Sequence, residues 1–149
     1  MLPLLRRRHR QCTVALVGRK PTAAVTALAA ADPLLQVTGT VDDVRPWLHG
    51  SKVSIVPLRV GGGTRLKIYE AMAVGVPAVS TTIGAEGLDV IDGVNIRLAD
   101  TPQAFADACA DLLDDAAARE RMADAARQMV AERYSLEAVT DIFERYLWS

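Results

Sequence analysis

Five short apolar runs, each followed by a segment of helical pattern or a polar loop, constrain this chain more than any other feature. They are Thr13 to Val17, LLQVTGTV from residue 34, KVSIVPL from 52, VPAVST from 76 and VNIRLA from 94. Their hydrophobicity is largely continuous rather than alternating, which marks strands covered on both faces. Between them, PTAAVTALAAAD reads as a helix, with Pro21 in its first turn and Asp32-Pro33 stopping it. DDVRPWLHGS reads as a short helix capped at Asp42 or Asp43, and a further helix is expected from Thr64 to Val74. The stretch TIGAEGLDVIDG reads as a loop. Strands alternating with helices define an α/β chain with a Rossmann-like, doubly wound parallel sheet.

From Thr101 onward the pattern is wholly helical. Ala104, Phe105, Ala108, Cys109, Leu112 and Leu113 form one apolar face, and Met122, Ala126, Met129 and Val130 form another. Ser135 is expected to cap a last helix bearing Leu136, Val139, Ile142, Phe143, Tyr146 and Leu147 on one side. The expectation is one domain over residues 1–149, with a helical tail at about 102–148.

Half of the 149 residues are hydrophobic, which is enough for a core, and the net charge of -1 gives no pull toward nucleic acid or anionic lipid. The run Arg6-Arg7-Arg8-His9-Arg10 reads as the solvated end of a helix leading into TVALVG. Cys12 and Cys109 fit no metal spacing and read as core thiols in a reducing compartment. In MLPLLRRRHRQ the charges follow the apolar residues, the reverse of a secretory signal, and no apolar run reaches membrane-spanning length. A cytoplasmic location is expected, without a transmembrane segment. Contact with the inner face of a membrane would need another domain.

In doubly wound sheets, ligands sit beyond the carboxyl ends of the strands. Gly18-Arg19, Thr38-Gly39, Arg59 to Thr64 and Thr81 to Gly87 all fall at that edge. Gly61-Gly62-Gly63 ends a strand and opens a helix. Glycines admit a close ligand, and a helix start supplies unpaired N–H groups and partial positive charge. Such a turn suits a phosphate or diphosphate. Arg65 and Lys67 add cations. The order GGGTRLK is neither the phosphate loop of NTPases nor the dinucleotide fingerprint, so ATP hydrolysis and nicotinamide chemistry are disfavoured. Glu70 lies one to two turns into the helix. It either accepts hydrogen bonds from a diol such as a ribose or pairs with Lys67 three residues back. Asp42-Asp43 and Asp114-Asp115 read as caps and surface rather than metal ligands. His49, Ser80, Thr81 and Thr82 lack the partners that nucleophilic chemistry needs.

The stretch PLRVGGGTRLKIYEAMAVGVPAVST followed by GAEGL resembles the donor-site region of the retaining family-four glycosyltransferases, enzymes of the two-domain GT-B fold. VALVGRKP, VTGTVDDVRPWL, IRLADTPQAFADACADLLDD and RYS resemble that family in the same order, so the likeness runs from about residue 5 to the end. The resemblance implies that Glu70 holds the ribose hydroxyls of a nucleotide-sugar. It implies that Gly62, Gly63 and Thr64 meet the diphosphate and the sugar. It places Thr40 and Val41 beside the base, and Glu86, within Ile83 to Gly87, in the same cleft. Arg65 and Lys67 are expected to face the donor's negative charge. The donor would be a UDP-sugar or a GDP-sugar, with no metal or other cofactor. Polysaccharide or glycolipid assembly in a bacterial envelope is the setting the likeness suggests.

Two departures stand out. The family's paired glutamates have seven residues between them, and Gly62 occupies the first position. The likeness also covers only the carboxyl-terminal domain. The acceptor domain, the donor domain's first strand and the cation-bearing loop after it have no counterpart, and Arg19-Lys20 do not take over that loop's role. The sheet is therefore expected to lack an edge strand. The chain is expected to be a truncated or split gene product, inactive unless a separate amino-terminal glycosyltransferase domain joins it. The alternative is a non-catalytic nucleotide-binding or protein-interaction module.

Overall fold

The computed structural model describes residues 1–61 and 65–135. Gly62, Gly63 and Thr64 lie outside the described residues, as does the last helix expected after Ser135. The elements in order are α1 (Leu2–Arg8), β1 (Val14–Val17), α2 (Ala23–Ala31), β2 (Leu35–Gly39), α3 (Arg45–His49), β3 (Ser54–Val56), α4 (Leu66–Ala73), β4 (Ala78–Ser80), a 3₁₀ turn at Ile83–Ala85, β5 (Arg97–Leu98), α5 (Pro102–Asp114) and α6 (Ala116–Tyr134).

Every strand pairing among them is parallel. The strands do not form one sheet. β1 pairs only with β2, and β3, β4 and β5 form a second sheet in that order. Among the described residues β1 and β3 do not pair with each other.

Local chemistry sets the helix ends. The Thr22 hydroxyl accepts the Val25 N–H at 3.4 Å and caps α2, so Pro21 precedes the cap rather than entering the first turn. Asp43 accepts the Arg45 N–H at 2.9 Å ahead of α3. Thr101 caps α5 through the Ala104 N–H at 3.1 Å, with Pro102 just inside the helix. Asp115 ends α5 and caps α6 through the Ala118 N–H at 2.9 Å, which makes a sharp corner.

Two cores lie on opposite faces of β4. Val79 joins Leu5, Phe105, Cys109, Leu112 and Met122 beneath α1 and α5. Ala78 joins Val56, Ile68, Met72, Ile96, Ala126 and Met129 beneath α4 and α6. This is the period-two alternation of a central strand. α5 buries more than the expected stripe: Ala106 and Ala110 are buried while Ala104 is exposed, since the helix touches α1, α6 and the sheet. The basic run is not merely solvated. Arg8 pairs with Asp111 at 2.9 Å and Asp114 at 2.5 Å of α5, and Arg6 with Asp32 at 2.5 Å beyond α2. These pairs orient α1 rather than supply much stability.

Candidate functional site at the carboxyl ends of the strands

α4 buries Ile68, Ala71 and Met72 and exposes Lys67 and Glu70. A cavity of about 1380 Å³ opens between the edges of β1 and β3. At the strands' carboxyl ends it is lined by Gly18, Arg19 and Pro57, together with Lys67 and Glu70. Lys67 and Glu70 make no ion pair with each other among the described residues. Among the described residues the Glu70 carboxylate makes no ion pair.

Arg65, the residue before α4, is only 7% exposed. Its Nη2 donates to the Gly61 carbonyl at 2.8 Å and to the Ile83 carbonyl at 3.1 Å. Its Nε is buried without a hydrogen-bond partner. The guanidinium is thus turned inward, beneath the turn, and ties it to the loop after β4. Gly61 has a φ of 134°, a conformation that essentially only glycine adopts without strain.

That loop is fixed from below. The Thr81 hydroxyl donates to the Leu58 carbonyl and accepts the Gly84 N–H at 2.9 Å. Gly84 packs so closely that a Cβ there would stand 2.4 Å from the Ser80 hydroxyl and 2.9 Å from the Val56 carbonyl. Asp100 receives the Thr82 N–H and the Thr82 hydroxyl, each at 2.7 Å. Those hydrogen bonds, the hydroxyl's foremost, hold its carboxyl below the usual carboxylate range. The hydroxyls of Ser80, Thr81 and Thr82 bond the adjoining backbone and Asp100.

The expected site residues divide by place. Lys67 and Glu70 line the cavity, and Arg65 is buried under the turn. Thr40, exposed, and Val41, half-buried, follow the carboxyl end of β2. Glu86, exposed, follows the 3₁₀ turn. These last three are outside the cavity lining. Gly62, Gly63 and Thr64 lie outside the described residues. Among the described residues no cluster of His, Cys, Asp or Glu could hold a metal ion, and no helix is long and apolar enough to cross a membrane.

A parallel α/β frame with its loops gathered at the strands' carboxyl ends is the architecture of the carboxyl-terminal, Rossmann-like domain of GT-B glycosyltransferases. The chain belongs to the family described as glycosyl transferases group 1, whose profile matches residues 1–115. Similar solved structures agree on the fold. HepE of Anabaena, in complex with UDP and glucose, matches with a TM-score of 0.75 and 18% identity over 99% of this chain and 44% of its own. TarM of S. aureus, in complex with fondaparinux, alpha-GlcNAc-glycerol and UDP, gives 0.77 and 16% over 95% of this chain and 30% of its own. The C-terminal domain of a group 1 family protein, LpcC, from Francisella tularensis gives 0.63 and 22% over 74% of this chain and 59% of its own. This chain therefore spans less than half the length of HepE and less than a third of TarM. No curated protein matches it.

Proposed function

We propose that this chain is the donor-binding part of a retaining family-four glycosyltransferase and binds a nucleotide diphosphate sugar. The observation that carries the reading is Glu70, exposed on α4 and lining the cavity beside Lys67 without pairing to it. Its carboxylate accepts the two ribose hydroxyls. The N–H groups at the start of α4, with Gly62, Gly63 and Thr64, meet the diphosphate. Arg65 contributes charge through the turn rather than by direct contact. A buried guanidinium with no carboxylate partner among the described residues favours an anion above it. Lys67 adds an exposed cation. Thr40 and Val41 stand toward the base, and Glu86 stands at the rim.

The reaction proposed is transfer of a hexose to a hydroxyl acceptor with retention, without a metal. It needs the acceptor oxygen held at the anomeric carbon and the departing diphosphate stabilised by preorganised charge. An acceptor-binding domain, in the same polypeptide or another, supplies the first of these. A cytoplasmic setting in envelope polysaccharide assembly fits the reading. UDP in the HepE and TarM complexes supports a uridine donor, and GDP is the competing choice.

Calorimetry with UDP and with GDP tests the proposal. One of them binds, and Glu70→Ala weakens that binding by ~1–3 kcal/mol, the cost of a lost charged acceptor. A folded sample that binds neither overturns the reading.

A further inference from the structure

We propose that Cys12 is a site of thiol–disulfide exchange and that Cys109 resolves it, closing a bridge from the corner between α1 and β1 to α5. Both cysteines are free, Cys12 half-buried and Cys109 only 2% exposed. They line one cavity and belong to one apolar cluster. The neighbouring contacts bring them to the same place. α1 packs on α5, and Arg8 pairs with Asp111 at 2.9 Å and Asp114 at 2.5 Å. That clamp holds the end of α1 that leads to Cys12 against the turn of α5 that follows Cys109. The Cys12 N–H then donates to the His9 carbonyl at 3.0 Å, so the chain folds back on the helix end before β1 begins.

The two thiols have different surroundings, which assigns their roles. Arg6 donates from Nε and Nη2 to the Cys12 carbonyl at 3.4 and 3.3 Å, so a guanidinium stands beside the accessible thiol. Burial raises the Cys12 pKa, and the Arg6 charge works against that rise. Burial pushes Cys109 up to about 12, and the Cys12 charge adds to the rise, so the two sulfurs feel each other. Cys12 is therefore the attacking thiol and Cys109 the resolving one. The oxidant is a small disulfide of the glutathione class. The Cys12 thiolate attacks one of its sulfurs, which forms a mixed disulfide and releases one glutathione thiolate. Cys109 then loses its proton, attacks the Cys12 sulfur and displaces the second glutathione thiolate. Two protein thiols are oxidised to one disulfide while the oxidant is reduced to two thiols.

The test treats the folded full chain with oxidised glutathione, blocks remaining thiols with iodoacetamide, and reads intact mass and peptide maps. The parent chain loses two hydrogens, yields one peptide pair joined through Cys12 and Cys109, and takes up no blocking group. Its urea midpoint rises, because the bridge closes a long loop in the unfolded chain, and dithiothreitol reverses the rise. Cys109→Ala stops at the mixed disulfide on Cys12. Cys12→Ser leaves Cys109 unreacted until urea is added. A bridge closes without backbone movement only when the Cα atoms lie within about 7 Å, so its formation in the folded chain reads the distance directly. A mixed disulfide that persists in the parent chain overturns the proposal. So does a bridge that forms only in urea or between two chains, or a folded Cys12→Ser chain that reacts as fast as the parent. None of these outcomes depends on nucleotide binding, so failure here and failure of the donor-site reading are separable.

Discussion

The Arg65 guanidinium donates to the carbonyl of Ile83, 18 residues away in sequence, at 3.1 Å. With its bond to Gly61 at 2.8 Å, it fixes the turn before α4 to the loop after β4. Both segments border the proposed donor site. Arg65→Met removes the two charged donors, leaves two carbonyls short of a partner, and costs ~1–3 kcal/mol of stability by chemical denaturation. Nucleotide affinity falls as well. Arg65→Lys retains charge but not the two-pronged reach, so it recovers affinity only in part. Calorimetry on folded samples of both variants separates charge from geometry.

Gly84→Ala tests the packing beneath that loop. A Cβ 2.9 Å from the Val56 carbonyl cannot be relieved by rotating a side chain. The backbone of the 3₁₀ turn must move, at a cost of ~1–3 kcal/mol. A lowered urea midpoint at constant slope is the expected result. An unchanged midpoint would show that the loop gives way freely.

How much of this was legible beforehand depends on the range of the interaction. The five apolar runs, the Thr64 to Val74 helix and the α5 and α6 stripes follow from local periodicity, and each has its counterpart within a few residues. The inward turn of Arg65 was not legible, because its acceptor at Ile83 is distant in sequence. The clamp of Arg8 on Asp111 and Asp114 escaped for the same reason. The split of the sheet escaped because order across a sheet is set by crossovers, which no single segment records.

Lys67 and Glu70 illustrate the same limit in the candidate site. Spacing of three allowed an ion pair, and none forms. Lys67→Gln should then leave stability within about 0.5 kcal/mol while weakening nucleotide binding, most visibly at low salt. A thermal shift series against ionic strength, with and without nucleotide, reads both effects. A stability loss without any change in binding would return Lys67 to a structural role.

The last prediction concerns the seam between α4 and α6. The Tyr69 and Tyr134 rings stand 4.4 Å apart, their hydroxyls hydrogen-bond at 2.7 Å, and Arg133 of α6 reaches Asp89 at 2.6 Å. The hydrogen bond with Tyr69, then partial burial and the nearby Asp89 carboxylate, push the Tyr134 hydroxyl from 10.0 up to about 12. A folded value raised above the unfolded one means that the native state holds the proton more tightly. This contribution is complete below pH 10 and is lost as pH rises toward 12. Tyr134→Phe removes the titration and costs ~0.5–1.5 kcal/mol at neutral pH. Denaturant midpoints across this alkaline range should fall less steeply in the variant than in the parent chain. Parallel slopes would mean that Tyr134 titrates alike in both states and that the seam is held by ring packing alone.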